Sequence, residues 1–74
     1  MTGRDSQSVR RILARNLRRL RLERGWSQDD LAAEAGMRQA LVSAIEVGAA
    51  NPTLASLEKL AATLGITFAE LFGH

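Results

Sequence analysis

The sequence predicts a compact all-α fold of five helices, and three observations carry that reading. Apolar residues recur at three- and four-residue spacing in one segment after another, which is the period of an amphipathic helix. No segment alternates apolar and polar residues as a half-buried strand does. Glycines divide the helical segments and leave short connections of the kind that join helices in a bundle. A chain of 74 residues is expected to form one domain, 1–74, with no separate catalytic or effector unit beside it.

Each element has its own justification. Val9, Ile12, Leu13, Leu17 and Leu20 share one helical stripe with arginines on the other face, placing a first helix at 6–24 that Gly25 stops. Ser27 and Asp30 form a capping-box pattern at the head of a second helix, 28–35, which turns Leu31, Ala32 and Ala35 inward until Gly36 breaks it. Met37 and Arg38 connect to a third helix, 39–47, with Val42 and Ile45 inward and Gly48 as its end. Thr53 caps a fourth helix whose Leu54, Leu57, Leu60, Ala61 and Leu64 fall on one stripe, and Gly65 sits where a left-handed C-terminal cap is wanted. Thr67 and Glu70 repeat the capping box before a fifth, very short helix bearing Phe68, Leu71 and Phe72. Trp26, just ahead of the second helix, is read as a core residue, and His74 as a loose tail.

Composition narrows the function. The chain is 46% hydrophobic and 24% charged, too apolar for intrinsic disorder and without an apolar run near the roughly 20 residues that span a bilayer. There is no cysteine, and the one histidine is the last residue. A disulfide framework, a thiolate zinc site, a cysteine nucleophile and a histidine-based site are therefore not expected. An enzyme is the least favoured class, and no cofactor, metal, membrane or small-molecule ligand is expected. Residues 1–8 lack the apolar stretch of a secretory signal, so the expected compartment is the cytoplasm.

The charge is unevenly placed. Eight arginines and two acids occupy residues 1–24, whereas two bases and six acids occupy the remainder. Arginine's planar fork suits phosphates and base edges, which favours nucleic acid as the partner. A solvated basic helix face is the plainer alternative. Gln28 to Val47 sharpens the choice: two short helices meet at a turn where Gly36 can take positive φ, and small Ala32 lets them cross closely. A protruding second helix of this kind is a slim rod, about 13 Å long at 1.5 Å per residue, and fits a major groove about 12 Å wide.

The string Ser27-Gln28-Asp29-Asp30-Leu31-Ala32, with Gly36, Val42-Ser43, Ile45-Glu46, Gly48, Asn51-Pro52, Leu54, Leu60-Ala61, Leu64-Gly65-Ile66 and Glu70-Leu71-Phe72, resembles the phage repressor and Cro type of helix-turn-helix domain over residues 8–72. In particular the chain is similar to the controller proteins of bacterial restriction-modification systems. The resemblance implies a repressor-like DNA-binding domain with its helix-turn-helix unit at 28–47; residues 67–72 are read as a dimerisation helix. The resemblance further implies that Gln39, Ala40, Ser43 and Ala44 face base edges and that Gln28 meets a DNA phosphate and braces the recognition helix; Arg38 is read with the base-facing residues, and Ser27 and Asn51 as further phosphate contacts. Arg21 and Glu46 match a structural ion pair. The residue types agree: glutamine can bond adenine bidentately, serine donates or accepts, and alanine can touch a thymine methyl.

Two positions depart from the family pattern. Arg38 stands where most members have a serine or threonine cap, which suggests a contact to guanine or phosphate instead. Ala49 and Ala50 stand where many relatives place basic residues. Arg10, Arg11 and Arg18 are read as solvent-facing charges far from the recognition helix, acting by long-range attraction. Leu54, Ile66, Phe68, Leu71 and Phe72 are read as a dimer interface, since a domain this small has limited interior.

The resulting expectation is a homodimeric regulator reading two half-sites of a palindromic operator, a bacterial nucleoid-associated protein. Controller proteins imply activation at low concentration and repression as more sites fill. The RNA polymerase sigma subunit and further assembly on DNA stand as additional partners of that reading. The alternative is an antitoxin-type protein that masks a partner protein and autoregulates its operon.

Overall fold

The computed structural model describes residues 2–73, and side chains from residue 9 onward; His74 lies outside the described residues. Four α-helices run in order, α1 (Thr2–Glu23), α2 (Gln28–Ala35), α3 (Gln39–Glu46) and α4 (Leu54–Leu64), followed by a C-terminal 3₁₀ turn, Phe68–Phe72. At 22 residues, α1 is about 33 Å long and accounts for the 36 Å long axis of a molecule 22 and 21 Å across. It packs on α3 and on the C-terminal turn, while α2 packs on α3 and α4.

Local chemistry explains the boundaries of α2. Ser27 Oγ accepts from the Asp30 amide at 3.0 Å and the Asp30 carboxylate accepts from the Ser27 amide at 2.9 Å, so two orphan donors at the helix start are satisfied reciprocally. At the other end Gly36 adopts φ 67°, and the Met37 amide reaches the Ala32 carbonyl at 2.9 Å, closing the turn into α3. Thr53 caps α4 by accepting from the Ser56 amide at 3.1 Å, and Gly65 ends it at φ 70°.

The expected fifth helix is a 3₁₀ turn instead. Its capping box is present, with Thr67 and Glu70 bonded reciprocally, but five residues are too few to repay the nucleation cost of an α-helix. The first helix begins at Thr2 rather than Ser6, and the third ends one residue earlier than read, at Glu46.

Leu13, Leu17, Leu20, Leu31, Val42, Ile45, Leu57, Leu60, Leu64 and Leu71 form the centre of the core, with Trp26, Met37, Ile66 and Phe72 partly buried against it. Val9 and Leu54, each placed on an apolar stripe by its spacing, are exposed; Leu54 was read as a dimer contact as well. Each lies at the head of its apolar stripe, where the helix runs past its neighbours. Leu71, read as a dimer contact, is 0% exposed. It is a core residue with no surface to offer a partner.

Asn16 is the buried polar residue of the apolar stripe of α1. Its amide nitrogen donates to the Leu71 carbonyl at 2.9 Å and to the Gly73 carbonyl at 2.6 Å. One side chain thus satisfies two carbonyls that the short turn leaves without partners. Arg24 does comparable work at the end of α4, donating to the Leu20 carbonyl at 2.7 Å and to the Leu64 carbonyl. Replacing Asn16 by leucine, which is similar in size, should leave the Leu71 carbonyl buried and unpaired and lower unfolding stability by about 1 to 3 kcal/mol. Urea unfolding would read this directly, and an unchanged midpoint would show that the two bonds do not secure the C-terminal turn.

Candidate nucleic-acid interface

The site is built on the end of α1, the head of α2 and the length of α3. Arg21 is 10% and Glu46 4% exposed at their side chains, and they form a two-pronged pair. Arg21 Nε donates to Glu46 Oε2 at 2.7 Å and Nη2 to Oε1 at 2.9 Å. The remaining Nη1 donates to the Trp26 carbonyl at 2.8 Å, so one guanidinium holds α1, the turn into α2 and the last residue of α3. Parallel bonds of this kind fix orientation as well as distance.

The pair extends toward the surface. Gln28 Nε2 donates to Glu46 Oε1 at 3.2 Å, and Gln39 Nε2 donates to Gln28 Oε1 at 2.6 Å. Arg21, Glu46, Gln28 and Gln39 are therefore one hydrogen-bonded row, running from a buried ion pair to an exposed glutamine on the first turn of α3. Burial alone would raise the Glu46 carboxyl, but the bonds from Arg21 and Gln28 and the charges of Arg21 and Arg18 outweigh it and hold it below its ordinary value.

The residues read as base-facing share the outer side of α3. Arg38, Gln39 and Ala40 are exposed, Ser43 and Ala44 half-buried, while Val42 and Ile45 turn into the core. Arg38 occupies the cap position with extended backbone, φ −79° and ψ 143°, and its side chain makes no capping bond. Ser27 and Asn51 are exposed and Gln28 half-buried, Ser27 and Gln28 at the head of α2 and Asn51 in the loop after α3.

The arginines of α1 call for a correction. Arg10 and Arg11, read as distant from the recognition helix, line a cleft with Glu46, Val47 and Gly48 at its end. Arg18 is near enough to influence the Glu46 carboxyl. The helical period brings positions 10, 14, 18 and 21 onto one face of α1, and the ion pair of Arg21 turns that face toward α3. Arg19, by contrast, pairs with Glu23 at 3.0 Å on an exposed face. The link from Gln39 through Gln28 to the ion pair was not read from the sequence as a continuous row; only its end members were.

Comparison with known proteins agrees with this geometry. The family described as Helix-turn-helix matches residues 17–71. The chain belongs to that family. A Neisseria meningitidis protein named as a hypothetical transcription factor is 42% identical over 67 residues, covering 90% of this chain and 63% of that protein. Control protein C.MunI of a Mycoplasma species is 44% identical over 57 residues, covering 76% of this chain and 77% of its own. Among solved structures, the restriction-modification controller protein C.AhdI of Aeromonas hydrophila superposes with a TM-score of 0.81 at 36% identity, covering 85% of this chain and 96% of that one. The matched relatives are named as transcription factors, transcriptional regulators or control proteins, and none as an enzyme. No helix among the described residues is long and apolar enough to cross a membrane.

The ion pair has a pH signature. Because the folded Glu46 carboxyl lies below its ordinary value, the pair contributes its full stability above the ordinary carboxylate range near pH 4.3 and loses it as pH falls further. Glu46→Gln, which leaves Arg21 buried without its counter-charge, should cost about 3 kcal/mol at neutral pH. It should also remove part of the wild-type loss of stability as pH falls below the ordinary carboxylate range. Thermal unfolding followed across that range tests both; parallel wild-type and variant curves would contradict the assignment.

Proposed function

We propose that this protein is a sequence-specific DNA-binding transcriptional regulator, acting as a homodimer on a palindromic operator as the control protein of a restriction-modification system. The observation that carries the reading is the braced row ending at Gln39. An amide nitrogen has two protons. One on Gln39 is committed to Gln28, which leaves its second proton and its carbonyl oxygen free, the donor and acceptor pair that matches adenine N7 and N6. Gln28 likewise keeps a proton for a phosphate while its other contacts hold Gln39 in place. Arg38, released from capping, reaches toward guanine, and Ser43, Ala40 and Ala44 complete a surface of small groups that admits base edges closely. Ser27 and Asn51 flank it as phosphate contacts.

Controller proteins are among the relatives that this chain resembles along most of both chains. In that role the protein would activate at low concentration and repress as further sites fill, with assembly of dimers on DNA and contact to the polymerase sigma subunit as its means, in the cytoplasm at the nucleoid. The proposed dimer surface uses Leu54 and Phe68, which are 70% and 38% exposed, with Ile66 and Phe72 beside them and Leu71 removed from the set. The Phe68 and Phe72 rings pack against each other at a tilt of 43°, with centroids 5.7 Å apart. Leu54 opens α4 and Phe68 follows the Gly65 turn at its end, so the two-fold contact would draw on both α4 and the C-terminal turn.

Arg38→Ala and Gln39→Ala should each weaken binding to a duplex selected from random sequences by about 1 to 3 kcal/mol, with less effect on unselected DNA. Repeating the selection with each variant should relax different base pairs. Unchanged preference in both would remove α3 as the reader, and a protein that binds no duplex would favour the antitoxin-type alternative.

Phe68→Asp should dissociate the dimer and lose operator affinity together, because paired half-sites need both subunits. Sedimentation at micromolar concentration decides it: a folded variant that stays dimeric would place the interface elsewhere.

A further inference from the structure

We infer that the cleft between the first half of α1 and the end of α3 is a DNA phosphate site, held by Arg10 and Arg11. It rests on the proposed reading that α3 enters the major groove. The cleft encloses about 390 Å³ between Arg10, Arg11 and Ala14 on α1 and Glu46, Val47 and Gly48 at the end of α3. Ala14 is buried and forms a small floor, while both arginines are exposed.

The acid in the wall does not neutralise them. Both oxygens of Glu46 are taken, one by Arg21 Nε and the other by Arg21 Nη2 and Gln28 Nε2. Its charge is spent on a partner already in the core, so the cleft presents two guanidinium groups to solvent. Two adjacent forks beside a concave backbone wall are suited to an anion with several oxygens, such as a phosphodiester.

Placement identifies which anion. The cleft adjoins the last turn of α3 and Gly48, and a helix seated in a major groove has its ends beside the sugar-phosphate strands. From Val47 to Leu57 the chain contains no charged residue, so the loop that follows α3 has no cation of its own for that strand. Arg10 and Arg11 stand across the cleft from that loop and supply it from α1. The two arginines thus compensate for the alanines at 49 and 50 by direct contact rather than by steering from a distance.

Contact and steering differ in what they change. A general field acts on association and depends on net charge, whereas a bound phosphate slows dissociation and adds to the counterions released. The test compares Arg10→Gln/Arg11→Gln with Arg15→Gln/Arg19→Gln, which removes the same charge from α1 at positions that do not line the cleft. Both are measured on a duplex of about 30 base pairs with arbitrary sequence, at several salt concentrations. Circular dichroism confirms that each is folded. The cleft variant should lower the slope of log affinity against log salt by about 1 or more and raise the dissociation rate several-fold. The control should change mainly the association rate. Base preference should be unaltered in both. Equal losses of slope and equal dissociation rates in the two variants would overturn the phosphate site while leaving the DNA-binding reading intact. A wild-type protein without salt-dependent binding would overturn that reading as well.

Discussion

The Arg21–Glu46 pair is the point at which segments far apart in the chain are fixed to one another, and the geometry of α3 depends on it. Without the pair, α3 would be an eight-residue helix with an uncapped start, held at its inner face by apolar contacts of Val42, Ile45 and the partly buried Leu41. Apolar contacts are non-directional and would tolerate rotation about the helix axis. A two-pronged guanidinium bond does not. Its cost is the removal of two charges from water, and the arrangement is sustained because each nitrogen and oxygen of the pair has a partner: Arg21 Nη1 donates to the Trp26 carbonyl and Gln28 adds a bond to the carboxylate. Among the described residues that are not exposed, no buried side-chain polar atom lacks a partner.

This constraint also orders the outer surface. The row from Glu46 through Gln28 to Gln39 conveys a fixed position in the core to an exposed amide. Precise placement matters there, since bidentate base contacts discriminate only when both bonds are made. The same ion pair turns a line of arginines on α1 toward the end of α3, so that a helix remote in sequence borders the proposed base-reading surface. Shape and charge therefore come from one arrangement. A modest net charge of +2 conceals it, because the acids lie mostly on α2, α4 and the C-terminal turn.

Much of the fold was legible in the sequence because it rests on local chemistry. Ser27, Asp30 and Gly36 fix the limits of α2 with bonds that span no more than a few residues, and Thr53 and Gly65 do so for α4. What was not legible depends on distance. The same capping chemistry at Thr67 and Glu70 does not make a helix where the segment is too short and its carbonyls are claimed by Asn16. That asparagine sits within the stripe of Leu13, Leu17 and Leu20, and a polar residue on an apolar face was the available signal. Leu71 was read outward because helix 5 offered too many apolar residues for one face; a 3₁₀ turn distributes them differently, with Leu71 inward and Phe68 outward. For the site, residue types and spacing pointed to α3 and to the ion pair. The approach of Arg10 and Arg11 to Gly48 required the crossing angle of α1 and α3, which no local pattern encodes.

The central claim is that a braced α3 presents Arg38 to Ala44 to the major groove. Amide and side-chain resonances of the isotopically labelled protein, followed as its selected duplex is added, test this most directly. The largest shifts are expected at residues 38–44 and at the side-chain amides of Gln28 and Gln39, with little change at the Arg21 Nε proton, whose bond to Glu46 should persist in the complex. Shifts concentrated on α4 and the C-terminal turn, with α3 unperturbed, would contradict it.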